Sequence, residues 1–239
     1  MDNRKKILIT GATHGIGRSV AEKFLEEGWE VYGCGSNRDD TRGRQMEDKY
    51  RGFHFQFADV SKEDEVRQLV ASCGGMDAAF NNAGTGCAPK DIHVMDMETE
   101  RRALEVNLFG TALCMKYEII AMLAEGGGTI INNSSVAAYK ADTGADAIYS
   151  ASKAGILRLT REAAAAKCYR DKIRFFSLVP GWVETRMTAM DDKEQWKRML
   201  PSESAVAPGQ VAELVYTVIE NSLVFESGQE FYMCGGGYL

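Results

Sequence analysis

Tyr149 and Lys153 stand four residues apart in Asp146-Ala147-Ile148-Tyr149-Ser150-Ala151-Ser152-Lys153-Ala154-Gly155, and alanine-rich sequence follows them. On a helix this spacing stacks the two side chains on one face. An ammonium beside a phenol favours the phenolate, so Lys153 is expected to draw the Tyr149 pKa down from its reference near about 10. A tyrosine tuned toward neutrality can give or take a proton. Taken alone, the spacing favours an amphipathic surface pair, so the case for chemistry must come from the rest of the chain.

The second chemical signal is Thr10-Gly11-Ala12-Thr13-His14-Gly15-Ile16-Gly17, between a short apolar run and a helical pattern. Gly11 allows a tight turn, while Gly15 and Gly17 let backbone approach a pyrophosphate and let the helix pack closely. The N–H groups of the turn, including those of Thr13, His14 and Ile16, and the positive end of the helix dipole then suit phosphate. The alternative is an ordinary strand-to-helix turn rich in glycine. Beyond the next strand lies Cys34-Gly35-Ser36-Asn37-Arg38. A dinucleotide site for NAD usually has an acid there to hold the ribose hydroxyls. None stands at the strand end, and Ser36, Asn37 and Arg38, with His14 when protonated, suit a 2′-phosphate, which favours NADP. Asp39 and Asp40 follow directly and weigh against this.

The elements that must position these groups alternate along the chain. Strands are expected at Lys6–Thr10, Glu30–Gly33, Gly52–Phe57, Ala78–Asn81, Thr129–Asn132, Ile173–Val179 and Glu230–Cys234. Helices are expected after Gly17 to Gly28, around Arg44–Tyr50, from an N-cap at Ser61 to Ser72, from Thr99 to Leu123, from Tyr149 to Cys168, and over Pro208–Asn221. The first strand is a short apolar run with no polar alternation, and strands alternate with helices through short loops. That pattern predicts one doubly wound α/β domain with a parallel sheet of about seven strands covered on both faces.

The totals narrow the classes. A chain of 239 residues can bury roughly three quarters of its unfolded surface in one core. A net charge of −6 without long runs argues against a nucleic-acid footprint. The six cysteines are scattered, with no Cys-x-x-Cys and no histidine cluster. No metal site and no disulfide framework are expected, and a reducing cytoplasm is the default compartment. The basic start lacks the apolar run of a signal peptide, and no apolar stretch of membrane-spanning length is evident.

With the glycine turn, Asn81-Asn82-Ala83-Gly84 and Tyr149-x-x-x-Lys153 in this order, the chain resembles the short-chain dehydrogenase/reductase family over nearly its whole length. The resemblance implies a hydride transfer between NADP(H) and a carbonyl or secondary alcohol, with NAD(H) as the lesser alternative. It implies that Asp59 and Val60 hold the adenine, and that Asn81, Asn82, Ala83 and Gly84 line the cofactor and steady the central strand. Asn107 is similar to the family asparagine that positions a water in the proton relay, and Ser135 to the catalytic serine. Pro180-Gly181-x-Val183-x-Thr185 is similar to the segment that holds the nicotinamide carboxamide. Lys153 would also bond the nicotinamide ribose, and Tyr149 would act as general acid/base. The serine-to-tyrosine spacing is one residue longer than is common, which keeps Ser134 as an alternative to Ser135. Gly235 stands where the family often has an aspartate.

The resemblance further implies a substrate lid within residues 180–207 and pairing of long helices into dimers or tetramers. The lid carries Trp182, Met187, Met190, Trp196 and Met199, which suit a bulky apolar ketone or alcohol or pack the lid itself. A carrier-bound 3-oxoacyl chain is the other substrate class implied, and the acidic balance is a weak mark against it. The competing function is a non-catalytic NADP(H)-binding sensor on the same fold, which should show a broken Tyr-x-x-x-Lys pair.

Overall fold

The computed structural model describes residues 4–86, 90–141, 145–185, 188 and 205–234. Strands β1 (Lys6–Ile9), β2 (Glu30–Gly35), β3 (Phe53–Phe57), β4 (Ala78–Asn81), β5 (Gly128–Asn133), β6 (Ile173–Pro180) and β7 (Glu230–Met233) form one seven-stranded sheet in the order β3-β2-β1-β4-β5-β6-β7. Every adjacent pair is parallel. The helices are α1 (Gly15–Glu26), α2 (Arg42–Lys49), α3 (Glu63–Ser72), α4 (Met97–Leu104), α5 (Gly110–Glu125), α6 (Ala147–Ala165) and α7 (Pro208–Glu220).

The central strands β1, β4, β5 and β6 are buried on both faces, and successive side chains go to opposite sides. Ile7 and Ile9 of β1 pack with Phe24 of α1 and Val215 of α7, whereas Leu8 packs with Leu69 of α3 and Met122 of α5. Strand order reverses between β1 and β4. In an open parallel sheet that reversal leaves a crevice beyond the strand C-termini, the place where ligands bind.

Three local expectations are corrected. Ser61 is not the N-cap of α3, which begins at Glu63 after Lys62. The Asp59 carboxylate captures the Ser61 N–H at 3.0 Å and its hydroxyl at 2.8 Å, so an Asx turn replaces the cap. The α6 helix ends at Ala165, before Cys168. The stretch expected as one helix over Thr99–Leu123 is interrupted, because Glu105–Phe109 forms a π turn between α4 and α5. That run, Met97–Glu125, is long and apolar enough by composition to cross a membrane. It thus reaches the length that no apolar stretch was expected to reach, and its Cys114, Met115 and Met122 are buried against the sheet.

One buried acid lies within this core. Glu118 of α5 is fully buried and accepts from the Asn81 amide at 2.9 Å. Burial, outweighing that bond, pushes its pKa up from 4.5 to about 8. The folded chain therefore holds a proton that the unfolded chain has released between these two values. Stability is fully present below the unfolded pKa and falls as pH rises toward about 8, by about 1.4 kcal/mol per unit in that window. Urea midpoints should decline between about pH 5 and 7.5 in the native chain, and Glu118→Gln should flatten that decline.

Candidate active site

The crevice is a cavity of about 330 Å³ built from the ends of four strands. The turn after β1 contributes Gly11, Thr13 and His14, and the segment after β2 contributes Ser36, Asn37, Asp40 and Arg42. Asp59 and Val60 enter after β3, and Ala83, Gly84 and Thr85 after β4. Arg102 of α4 closes one side.

The glycine turn is shaped by close approach. Gly11 and Gly15 have φ of 67° and 55°, a region that glycine enters without steric cost. A Cβ on Gly17 would lie 2.2 Å from the Gly11 carbonyl oxygen and 2.5 Å from the Asn82 amide nitrogen. The Asn82 Nδ2 donates to the carbonyls of Thr10 and Gly11 at 3.1 and 3.2 Å, while Thr10 Oγ1 accepts from the N–H groups of Asn82 and Ala83. Helix α1 begins here with His14 in extended conformation and no side-chain cap. Its first-turn N–H groups are thus presented to the crevice side of the turn, the arrangement that receives phosphate. The Ile16 side chain packs into the core, so only its backbone can serve the turn.

The charges after β2 differ from the sequence expectation. Arg38 does not line the crevice; its guanidinium lies 3.7 Å from Glu65 and over the Phe57 ring. Arg42, which carried no signal in the sequence, takes that place. It clamps Asp40 with Nε–Oδ1 and Nη2–Oδ2 bonds of 2.8 and 2.7 Å. The Arg42 bond, helped by the charge of His14, holds Asp40 below the usual carboxylate range. Arg102 is the other unexpected cation. It donates to Asp59 Oδ2 and to Ser61 Oγ, both at 2.6 Å. Burial would raise Asp59, but the bonds from Ser61 and Arg102 outweigh it and hold the carboxyl low.

Gly84 joins the crevice to a second cluster, since a Cβ there would lie 3.3 Å from Asn107 Oδ1 and 3.6 Å from Lys153 Nζ. Asn107 is wholly buried in the π turn. Its Oδ1 accepts from Thr85 N at 2.8 Å, and its Nδ2 donates to Thr85 O at 2.9 Å and Ser152 Oγ at 3.1 Å. A π turn widens the backbone locally, and such turns are common at functional sites.

Asp146 starts α6 by accepting from the N–H groups of Ile148 and Tyr149 at 2.7 and 3.1 Å. The helix then places Tyr149 and Lys153 on one face, with Lys153 Nζ 5.6 Å from the Tyr149 ring centroid. The two serines at the end of β5 separate clearly. Ser134 is buried and donates to the Lys153 carbonyl at 2.8 Å, whereas the Ser135 hydroxyl accepts from the Ala137 N–H at 3.2 Å and lies close enough to the Tyr149 phenol to lower its pKa. The expected downward pull of Lys153 on Tyr149 does not dominate in the chain by itself. Burial raises the Tyr149 pKa, against the lowering by Ser135. Burial also lowers Lys153 to about 8. Both groups lose hydration together, which disfavours the phenolate and the ammonium alike.

The carboxamide-like segment reaches the turn from the other side. Pro180 ends β6, and Gly181 N donates to Met233 O at 2.8 Å, which fixes the exit of the chain. Val183 turns into the core and bridges Val206, so its side chain is not offered to the crevice. Thr185 lies over Gly15, its Cγ2 at 3.3 Å from where a Cβ would stand. Met187, Met190, Trp196 and Met199 of the expected lid, and Gly235, lie outside the described residues.

Among the described residues no group of three or more His, Cys, Asp or Glu side chains could hold a metal. The short chain dehydrogenase family matches residues 5–196. The chain is 31% identical to a 2,5-dichloro-2,5-cyclohexadiene-1,4-diol dehydrogenase of Sphingobium indicum, covering 97% of this chain and 96% of that protein. It is 32% identical to a 3-oxoacyl-acyl-carrier-protein reductase of Staphylococcus epidermidis, covering 98% of this chain and 99% of that protein. Among solved structures it superimposes with a TM-score of 0.89 on a 3-oxoacyl-acyl-carrier-protein reductase of Brucella melitensis with bound NAD, at 26% identity, covering 99% and 92% of the two chains.

Proposed function

Because this chain belongs to the short chain dehydrogenase family of oxidoreductases, we propose that it transfers hydride between NADP(H) and a cyclic secondary alcohol or its ketone, with Tyr149 as general acid/base. The observation that carries the reading is the meeting of two units at Gly84: a crevice fitted to a dinucleotide, and a cluster of Ser135, Tyr149 and Lys153. The crevice fits the cofactor because Gly17 leaves no room for a Cβ and the α1 N-terminus has no side-chain cap. A bound nicotinamide supplies or accepts the hydride.

The protein side of the reaction follows from the geometry. The Ser135 hydroxyl, beside the phenol, donates to the substrate oxygen where charge develops. Tyr149 gives its proton to that oxygen in reduction and takes it back in oxidation. Lys153 keeps a positive charge near the phenol below about pH 8 and is placed to bond the nicotinamide ribose. Asn107 holds the Thr85 loop and Ser152 of α6 in register, and so fixes the approach to Lys153. A water relay to that lysine would start from this turn. Pro180, Gly181 and Thr185 would border the nicotinamide, with Val183 anchoring them from below.

Arg42, in place of Arg38, supports the preference for NADP. It stands at the end of the crevice with Ser36, Asn37 and His14, and it neutralises Asp40, the acid that would repel a 2′-phosphate. Arg42→Ala should raise the KM for NADPH roughly tenfold, the worth of one charge-assisted bond, and leave that for NADH within about twofold. Steady-state kinetics with both cofactors check this; equal effects would remove Arg42 from phosphate recognition. The ring-alcohol class rests on the similarity to the cyclohexadienediol dehydrogenase and on the apolar residues of the lid segment. Phe109, at the end of the π turn, and Ile120 of α5 stand exposed, which supports helix pairing into a dimer or tetramer.

The deciding experiment is a panel of cyclic and open-chain alcohols and ketones with NADPH, NADH and their oxidised forms, followed by nicotinamide absorbance. Turnover of ring alcohols or ketones with NADP(H) is the expected result. Tight NADPH binding with no turnover across the panel would favour the sensor instead.

A further inference from the structure

We infer that Asn133 is a positioning residue that ties the glycine turn to Lys153, so that an occupant of the turn is felt at the lysine through the protein. The inference rests on the dinucleotide reading of the crevice, and it concerns a residue that neither the motifs nor the reaction scheme uses.

The connection is a chain of four hydrogen bonds. The Lys153 ammonium donates to the Asn133 backbone carbonyl at 2.8 Å. The Asn133 amide donates to Asn82 Oδ1 at 3.0 Å. Asn82 in turn donates to the carbonyls of Thr10 and Gly11 at 3.1 and 3.2 Å. There is no slack at the far end, because the Gly17 backbone approaches the Asn82 amide too closely to accept a Cβ. At the near end Ser134 binds the Lys153 carbonyl, so the end of β5 holds both the main chain and the ammonium of this lysine.

Asn133 is costly where it stands. It is 7% exposed, in a strand position suited to a β-branched apolar residue, and its Oδ1 is buried without a hydrogen-bond partner. Its neighbour Asn132 goes to the other face of the sheet and bonds Thr160 and Asn81. What the Asn133 side chain gains is the single bond to Asn82. Substituting the side chain leaves its backbone carbonyl in place, so a variant breaks the tie to the turn while Lys153 keeps its acceptor.

ADP is a suitable probe, because it carries a pyrophosphate for the turn and lacks the nicotinamide ribose that would touch Lys153 directly. Lys153 is followed by NMR of protein labelled with 13C at the lysine ε carbon, its signal identified by loss in Lys153→Arg. Tyr149 is the titratable group seen against this ammonium, and its ring remains in every variant. Saturating ADP should shift the Lys153 titration in the native chain. In Asn133→Leu and Asn133→Val the shift should shrink by about 0.7 pH unit or more, equivalent to a coupling of about fivefold. ADP affinity, measured by calorimetry, should stay within about fivefold, the reciprocal of that coupling. The charge of ADP acts through space equally in all three proteins, so equal shifts overturn the inference. So does a native chain that binds ADP with no response at Lys153. If ADP fails to bind the native chain, the dinucleotide reading itself falls and this inference with it, a result distinct from the other two.

Discussion

Replacing Tyr149 by Phe should lower kcat by about 10²- to 10⁴-fold, the usual worth of a positioned general acid/base, while NADPH affinity changes by less than about threefold. The ring stays beside the Lys153 ammonium, and only the hydroxyl near Ser135 is lost. Stability should therefore change little, and the loss should appear in kcat more than in KM. A second readout is the pH dependence of kcat/KM for reduction. Tyr149, raised by burial, keeps its proton through the neutral range, whereas Lys153 loses its charge as pH rises through about 8. The rate of reduction should be level below that value and fall above it. Stability follows the opposite sign for the same lysine. Its folded pKa is depressed from 10.5, so the unfolded chain binds the extra proton between about 8 and 10.5 and stability rises with pH across that window. Retention of full activity in Tyr149→Phe would end the proton-transfer reading.

Gly17→Ala should have the largest effect on cofactor binding. The new Cβ would meet the Gly11 carbonyl oxygen at 2.2 Å and the Asn82 amide at 2.5 Å, and neither is the free end of a flexible chain. Relief requires α1 to move off the sheet or Asn82 to release Thr10 and Gly11. Overpacking of this kind costs about 1–3 kcal/mol, or roughly 5- to 150-fold if it falls on the bound state. Fluorescence titration with NADPH should show that loss. Gly209→Ala serves as the control, since nothing lies within 4 Å of its Cβ position, and it should bind as the native chain does. Native-like NADPH affinity in Gly17→Ala would mean that the phosphates do not rest on this turn.

Where residues act through local geometry, the sequence was informative. Period and composition placed seven strands and the main helices within a few residues, because the central strands are apolar on both faces and several turns carry glycine. The four-residue spacing of Tyr149 and Lys153 already implied a shared helical face, and the order of the glycine turn, Asn81-Asn82-Ala83-Gly84 and the Tyr-Lys pair already implied the family. The π turn at Asn107 escaped notice because nothing in Glu105–Phe109 departs from helical composition; the extra residue per turn is decided by the contacts of Asn107 with Thr85 and Ser152.

Contacts across the sheet were decided only by the tertiary structure. Arg38 and Arg42 are equivalent cations on paper, and folding turns one toward Glu65 and the other into the crevice. Ser134 and Ser135 are adjacent and alike, and the alternation of strand side chains sends one to the Lys153 carbonyl and the other to Tyr149. Arg102 meets Asp59, and Asn133 meets Asn82, across 43 and 51 positions of chain. The pKa of Tyr149 belongs with these. Spacing alone predicted an ammonium lowering a phenol, but how much water each group loses depends on every element packed around it. Burial is a property of the folded whole, and here it outweighs the local pair.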